Sequence, residues 1–116
     1  MPMPVVYVAG PYRGPSEWAV TQHIRYAEEA ALELWKRGAA AICPHKNTAY
    51  FGGACPDEVW LQGDIAILMK CDAVFALATW ESSAGAREEI RIARERGIPV
   101  IDSIDGFETW MRKQGL

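Results

Sequence analysis

The sequence lacks the cysteine spacings that accompany disulfide scaffolds and zinc sites. Its 116 residues contain three cysteines, Cys43, Cys55 and Cys71, and no C-x-x-C pair. An odd number of cysteines without that spacing is typical of reduced thiols. Cys43, His45 and Cys55 match no common metal-ligand pattern. We therefore expect neither a disulfide framework nor a metal site.

Long apolar runs and an excess of positive charge are also missing. No run approaches the roughly 18 residues that span a bilayer, and no cationic, apolar leader opens the sequence. We therefore expect a cytoplasmic protein without a membrane partner. The formal net charge of -3 argues against a nucleic-acid polymer as partner, because a polyanion favours a basic protein surface.

The chain does contain a regular alternation of short apolar runs and helical periodicities. The pattern predicts four strands, at 5–9, 39–43, 73–78 and 98–101. It predicts four helices: one from about 16 or 21 to 37, and others at about 56–70, 85–96 and 107–113. Such alternation implies parallel strands joined by right-handed crossovers. We therefore predict an α/β fold, a three-layer sandwich of flavodoxin or Rossmann type with a small parallel sheet of four to five strands.

Length and aromatic content bear on domains and assembly. A chain of 116 residues, half of them hydrophobic, is large enough for one core and too small for two, so we expect a single domain over residues 1–116. A sheet this small leaves helix faces poorly covered. Because five tryptophans are available for such faces, we expect a homodimer or a larger homo-oligomer.

Polar side chains follow the first three predicted strands, at the points where those strands end. The carboxyl ends of parallel strands meet at one edge of a sheet, and ligands bind there in folds of this type. The polar groups that this edge gathers are Tyr7, Tyr12, Arg13, His45, Asn47, Ser82, Ser83 and Glu89. The sequence therefore predicts a small-molecule site at this edge.

Two adjacent glutamates lie near the junction between the third strand and the helix after it. Glu89 comes three residues after Ala86 and four before Ala93, so it borders the inward-facing stripe of that helix. Glu88 falls with Arg91 on a mostly charged face. Either glutamate could serve only as an acid that stabilises the start of a helix. The position of Glu89 over small residues favours a nucleophile there, and the helix dipole would keep it ionised.

Asp64 interrupts the apolar face of the helix predicted at 56–70. A buried carboxylate is costly unless it is paired or functional. The pattern leaves two readings open: a functional Asp64, or an aspartate at the edge of the stripe that reaches solvent or a backbone donor. Two carboxylates facing a sugar are the arrangement that cleaves glycosidic bonds, and an N-glycosidic bond to a nucleobase fits it.

The segment from Gly10 to Gly14 is a tight loop between a strand and a helix. It is neither a G-x-G-x-x-G fingerprint nor a Walker loop, so the sequence indicates no dinucleotide or nucleoside triphosphate, and we expect no cofactor. Arg13 is either a surface residue or a ligand for one phosphate, together with backbone N–H groups. His45 is either a substrate contact or a polar loop histidine.

Taken together, these motifs resemble the nucleoside 2-deoxyribosyltransferase-like superfamily. The segment 7–14, then His45 and Asp64, and then the segment 80–89 match it over nearly the whole chain. Within the superfamily the chain looks most similar to a small uncharacterised branch with G-P-x-x-G and W-x-x-S-x-G-A-x-x-E signatures. It is also similar to the 2'-deoxynucleoside 5'-monophosphate N-glycosidases.

The resemblance implies roles for individual residues. Glu89 would be the nucleophile, Asp64 would orient the sugar or assist the base, and Tyr7 would hydrogen-bond near the nucleophile. The substrate-binding set that it implies is Gly10, Arg13, Gly14, His45, Ser83 and Gly85, with Arg13, Gly14 and Ser83 around a 5'-phosphate. Pro11 stands where the nucleotide hydrolases carry a phosphate-binding serine, and proline has no N–H to donate.

The activity that the resemblance implies is cleavage of the N-glycosidic bond of a (deoxy)nucleoside or nucleoside 5'-monophosphate by double displacement. The enzyme would be a hydrolase if water accepts the sugar and a transferase if a second base does. Retention of Arg13 and Ser83 favours a deoxynucleotide. The alternative from another class is a non-catalytic nucleotide-binding or sensing module. A flavin carrier is disfavoured because nothing marks a flavin phosphate loop.

Overall fold

The computed structural model describes residues 2–115 and contains a parallel sheet of four strands between two layers of helices. The strands are β1 (Val5–Ala9), β2 (Ala40–Ile42), β3 (Ala73–Ala76) and β4 (Val100–Ile101), in the order β2-β1-β3-β4. The helices are α1 (Glu17–Lys36), α2 (Pro44–Asn47), α3 (Asp57–Leu68), α4 (Ala84–Glu95) and α5 (Ile104–Lys113). The predicted flavodoxin-like three-layer α/β fold is confirmed.

The central strand β1 sends alternate side chains into opposite helical layers. Val6 and Val8 are buried in a core formed with α1 and α5, whereas Tyr7 and Ala9 are buried in a core formed with α3 and α4. Because β2 and β3 pair with β1 on both sides, side chains can leave β1 only above and below the sheet. The fully buried Tyr7 therefore points into the α3–α4 layer.

Local sequence signals account for where the main helices begin. Ser16 caps α1 by accepting a hydrogen bond from the Ala19 N–H at 3.1 Å, and Ser83 caps α4 by accepting one from the Ala86 N–H at 3.2 Å. A serine side chain in this position satisfies one of the amides that a helix leaves unpaired at its start. The capping at Ser83 fixes the start of α4 beside the end of β3.

Several element bounds differ from the sequence prediction: α5 begins at Ile104 rather than 107, β2 covers Ala40–Ile42 rather than 39–43, and β3 ends at Ala76 rather than 78. Two further differences lie near proline residues. Residues 44–47 form the short helix α2 rather than a loop, because Pro44 suits the first turn of a helix, where its missing N–H is not needed. The last strand is shorter than predicted and covers Val100–Ile101, since Pro99 cannot donate to a neighbouring strand. Neither difference moves the predicted site away from the end of the sheet.

Two of the tryptophans lie on the surface of the described structure. Trp18 is 73% exposed and Trp35 is 52% exposed, both on α1. Their exposure is compatible with the predicted homo-oligomer, which stays a prediction. Among residues 2–115, no helix has both the length and the apolar character needed to cross a membrane.

Gly10 offers a test of the close packing at the end of β1. A methyl group at this buried position would lie 2.9 Å from the Cβ of the buried Leu77, closer than two carbon atoms approach without strain. We expect Gly10→Ala to lower the free energy of unfolding by about 1–3 kcal/mol, measured by urea denaturation.

Gly63→Ala is the matched control for that substitution. An added methyl group at Gly63 meets nothing within 4 Å, and the position lies inside α3. Alanine there should raise the free energy of unfolding by about 0.5–1 kcal/mol, because glycine weakens a helix interior. A Gly10→Ala protein as stable as the wild type would contradict the packing described here.

Candidate active site

The site is organised by a contact between the middle of β1 and the first half of α4. The Tyr7 hydroxyl donates a hydrogen bond to Oε2 of Glu89. Tyr7 is fully buried and Glu89 is only 7% exposed. The sheet therefore holds the carboxylate of Glu89 in the interior, at the edge where the chain leaves β1 and β3.

The neighbouring Glu88 points to the protein surface instead. Its carboxylate accepts a hydrogen bond from Nε of Arg91 at 3.0 Å, and Arg91 also bonds Glu95 at 2.6 Å. This ladder of exposed charges runs along the outer face of α4. The two adjacent glutamates thus occupy the two different environments that their helical spacing predicts.

Burial raises the pKa values of the Glu89 and Asp64 carboxylates toward neutral pH. Burial raises the pKa of Glu89 to about 7; the hydrogen bond from Tyr7 opposes this shift, and the negative charge of Asp64 adds to it. Burial also raises the pKa of Asp64 to about 6. Burial, followed by the charges of Glu89 and Asp64, raises the pKa of Tyr7, so Tyr7 remains a hydroxyl donor. Near neutral pH Glu89 and Asp64 can therefore both hold and release protons. The expectation that the helix dipole keeps Glu89 ionised is wrong, because burial outweighs any effect of the helix start.

The start of α4 is open on the side that faces α3. A methyl group on Gly85 would find only Ser83 Oγ at 3.9 Å and Leu61 Cδ1 at 4.0 Å. The first turn of α4 contains no acidic residue, and the amides of a first turn have no acceptor within their own helix. Ser83 and Gly85 therefore border a polar opening next to Glu89.

The loop after β1 is held by the only two histidines of the chain. His45 donates from Nε2 to the Pro11 carbonyl at 2.7 Å, and Nδ1 of His23 lies 3.0 Å from the Tyr12 carbonyl. His45 is 5% exposed, and its ring meets the Tyr12 ring edge-on at 5.4 Å. Burial lowers the pKa of His45, which favours the neutral ring. His45 is thus a buried residue of a short helix that contacts the loop after β1; its predicted contact with a substrate stays a prediction.

Arg13 at the far end of this loop turns toward the start of α3. Its Nη2 lies 2.6 Å from Oδ1 of Asp57, and both side chains are mostly exposed. Gly14 lies where a Cβ would come within 2.6 Å of the Ala19 Cβ, so the loop fits closely against α1. Arg13 and Gly14 therefore lie at the outer end of the site.

The structure places the predicted catalytic and substrate-binding residues in three groups. Tyr7 and Glu89 are buried and Asp64 is half-buried near them, while the loop after β1 and the start of α4 flank this acidic centre. Sequence reasoning missed His23 and Asp57, because a histidine inside an amphipathic helix and an acid in a first turn both have ordinary explanations. Only their contacts across the fold reveal them.

A second surface feature lies away from these residues. A groove of about 620 Å³ follows the free edge of β2 and is lined mainly by side chains of α1 and β2, among them Leu32, Trp35 and Ile42. Asn47, which was predicted to lie with the other polar groups of the site, lines this groove instead. None of the predicted catalytic or substrate-binding residues does. This groove and the carboxylates of Glu89 and Asp64 are therefore separate in this fold.

The family described as "Domain of unknown function (DUF4406)" matches residues 4–102. The chain belongs to this family. The matched range includes Tyr7, Asp64 and Glu89, and the description of the family states no activity. No curated protein matches this DUF4406 chain.

Two solved structures share its fold. The 2-deoxyribosyltransferase from the psychrotolerant bacterium Bacillus psychrosaccharolyticus is 18% identical with a TM-score of 0.63, over 83% of this chain and 69% of that one. A conserved protein from Enterococcus faecalis V583 is 22% identical with a TM-score of 0.61, over 85% of this chain and 62% of that one. The DUF4406 chain thus has a nucleoside 2-deoxyribosyltransferase-like fold, and the likeness inferred from its motifs is confirmed at that level.

The raised pKa of Glu89 predicts a specific effect of pH on stability. The pKa in the folded protein, about 7, lies above the ordinary value of a glutamate in an unfolded chain. The folded state therefore keeps a proton that the unfolded state releases, and stability falls as pH rises between about 4 and 7. Glu89→Gln removes this pH-dependent loss of stability. The free energy of unfolding of Glu89→Gln, relative to that of the wild type, should therefore increase by about 2 kcal/mol between pH 5 and pH 8. Urea denaturation at each pH provides the measurement.

Glu88→Gln removes the same charge one residue away and serves as the control. Hydrogen bonding to Arg91 lowers the pKa of the exposed Glu88, so this group stays ionised across the same pH range. The difference between Glu88→Gln and the wild type should therefore be nearly constant from pH 5 to pH 8. A Glu89→Gln difference that is equally flat would show that Glu89 titrates like a surface glutamate.

Proposed function

We propose that this protein cleaves the N-glycosidic bond of a nucleoside or nucleoside 5'-monophosphate, with Glu89 as the nucleophile. The observation that carries the proposal is the buried Glu89 carboxylate, held by the Tyr7 hydroxyl at the carboxyl end of a parallel sheet. A carboxylate with a pKa near 7 is ionised in a large fraction of molecules at neutral pH. It is also basic enough to attack an electron-poor carbon.

In the first step, an oxygen of Glu89 bonds to the anomeric carbon of the sugar. The bond from that carbon to the base nitrogen breaks, and its electron pair leaves with the base. The base must gain a proton, and Asp64 is suited to supply it because burial raises the pKa of Asp64 to about 6. The products of this step are the free base and a glycosyl ester on Glu89.

In the second step, an acceptor attacks the same anomeric carbon and the bond to Glu89 breaks. When the acceptor is water, Asp64 as a carboxylate takes its proton and the enzyme acts as a hydrolase. When the acceptor is a second base, Asp64 takes the proton that this base loses and the enzyme acts as a transferase. Each step passes through a similar oxocarbenium-like state, and the configuration at the anomeric carbon is retained overall.

Tyr7 positions the nucleophile in this scheme. Its hydroxyl bonds Oε2 of Glu89, so one oxygen is held while the other is free to face the sugar. The same hydrogen bond favours the ionised carboxylate and partly offsets its burial. The residues proposed to contact the substrate are Ser83, Gly85, Gly10, His45, Arg13 and Gly14.

The shared fold of a 2-deoxyribosyltransferase supports a nucleoside substrate, as do the motifs that match that superfamily. We propose that the protein acts in the cytoplasm on a small molecule, without a cofactor, as a homo-oligomer. The exposed tryptophans of α1 support the last point.

The proposal predicts that free base is released from at least one compound in a panel of nucleosides and their 5'-monophosphates. Glu89→Gln should lower the rate of base release by more than about a thousandfold, because it removes the attacking carboxylate while retaining its shape. Liquid chromatography of the products provides the measurement.

Glu88→Gln is again the matched control and should keep most of the activity. Full activity in Glu89→Gln would overturn the assignment of the nucleophile. Measurable binding of nucleotides without release of base from any compound would favour the non-catalytic sensing module instead.

A further inference from the structure

Arg13 is the residue whose positive charge a bound phosphate would need, and it already forms an ion pair with Asp57. Nη2 of Arg13 lies 2.6 Å from Oδ1 of Asp57, a normal length for a charge-assisted hydrogen bond. A carboxylate at this distance stands where an oxygen of a bound anion would otherwise lie. The arginine that the motifs assign to a 5'-phosphate is thus already matched with an anion from its own chain.

Asp57 also belongs to the face of α3 that borders the candidate site. Asp57, Leu61 and Asp64 are spaced at i, i+4 and i+7 and therefore share one face of this helix. Leu61 on that face reaches to 4.0 Å from where a Cβ of Gly85 would lie. Asp64 lies at the inner end beside Glu89 and Asp57 at the outer end, about 10 Å apart along the helix axis.

The loop also offers one donor fewer than the loop of the nucleotide hydrolases. Pro11 stands where those enzymes carry a phosphate-binding serine, and proline has no N–H to offer. The Ser83 Oγ accepts the capping bond from the Ala86 N–H at 3.2 Å, and its O–H can still donate. A phosphate at this end would therefore face the carboxylate of Asp57 without an unpaired arginine to offset its charge.

We propose that Asp57 is a specificity-determining residue that neutralises Arg13, so that the site prefers a neutral nucleoside over its 5'-monophosphate. This inference rests on the proposed function, since it assumes that the sugar of the ligand lies at Glu89. A dianionic phosphate must displace Asp57 from Arg13 or lie beside it, and both are unfavourable. A 5'-hydroxyl carries no charge and needs only a hydrogen-bond partner, such as the Ser83 hydroxyl.

The test compares the dissociation constants of the four natural 2'-deoxynucleosides with those of their 5'-monophosphates by titration calorimetry. In the wild type, the ratio of the monophosphate constant to the nucleoside constant should exceed one. Asp57→Asn keeps the shape of the side chain but releases Arg13, so the ratio should fall about three- to tenfold. The double variant Arg13→Gln/Asp57→Asn should abolish this fall, because the fall depends on the freed guanidinium.

Glu58→Gln is the matched control, because it removes one negative charge from the same first turn of α3. Among the described residues Glu58 forms no ion pair. For Glu58→Gln, the ratio of the monophosphate constant to the nucleoside constant should stay within about twofold of the wild-type ratio, as expected for a remote surface charge. Tighter binding of the monophosphate by the wild type, or equal ratios in Asp57→Asn and Glu58→Gln, would overturn the inference.

The same titrations separate this inference from the proposed function. If the dissociation constants show the expected ratios but no base is released in the panel assay, the catalytic proposal is overturned and the preference for a neutral nucleoside is supported. If base is released but Asp57→Asn has the same ratio as the wild type, the catalytic proposal is supported and the role of Asp57 is overturned. Failure to bind any of the eight compounds overturns both.

Discussion

The buried hydrogen bond between Tyr7 and Glu89 is the constraint on which the rest of the site depends. It joins residues 82 positions apart in sequence and ties the central strand to the helix that follows β3. An isolated carboxylate in this layer would be strongly destabilising. The tyrosine hydroxyl compensates part of that cost, and the remainder is visible as the raised pKa of Glu89.

The same constraint explains why the fold leaves an opening above Glu89. Small residues dominate where α4 begins, and a side chain larger than glycine at position 85 would narrow the space toward Leu61. Gly10 is packed against Leu77, which follows β3. The loop after β1 therefore stays close to the end of β3 as it leaves the sheet. His45 and His23 then hold consecutive carbonyls of that loop. The opening is therefore bounded by rigid elements, with the acidic centre at its inner end.

Much of this arrangement could be predicted from local pattern. The apolar run 5–9 and the helical spacing around Glu89 are signals within a few residues, and they correctly indicated β1, α4 and the different environments of Glu88 and Glu89. The contacts of Tyr7 with Glu89 and of Arg13 with Asp57 could not be derived this way, because they depend on the distances between elements in the folded chain. The helix α2 escaped prediction because four residues are too few to show a period.

The stereochemistry of the reaction tests the central claim most directly. A glycosyl ester on Glu89 requires two displacements at the anomeric carbon, whereas direct attack by water requires one. With methanol added as acceptor to a 2'-deoxynucleoside substrate, nuclear magnetic resonance distinguishes the two methyl glycosides. The account predicts the β-glycoside, with the configuration of the substrate retained. Formation of the α-glycoside would contradict a covalent role for Glu89.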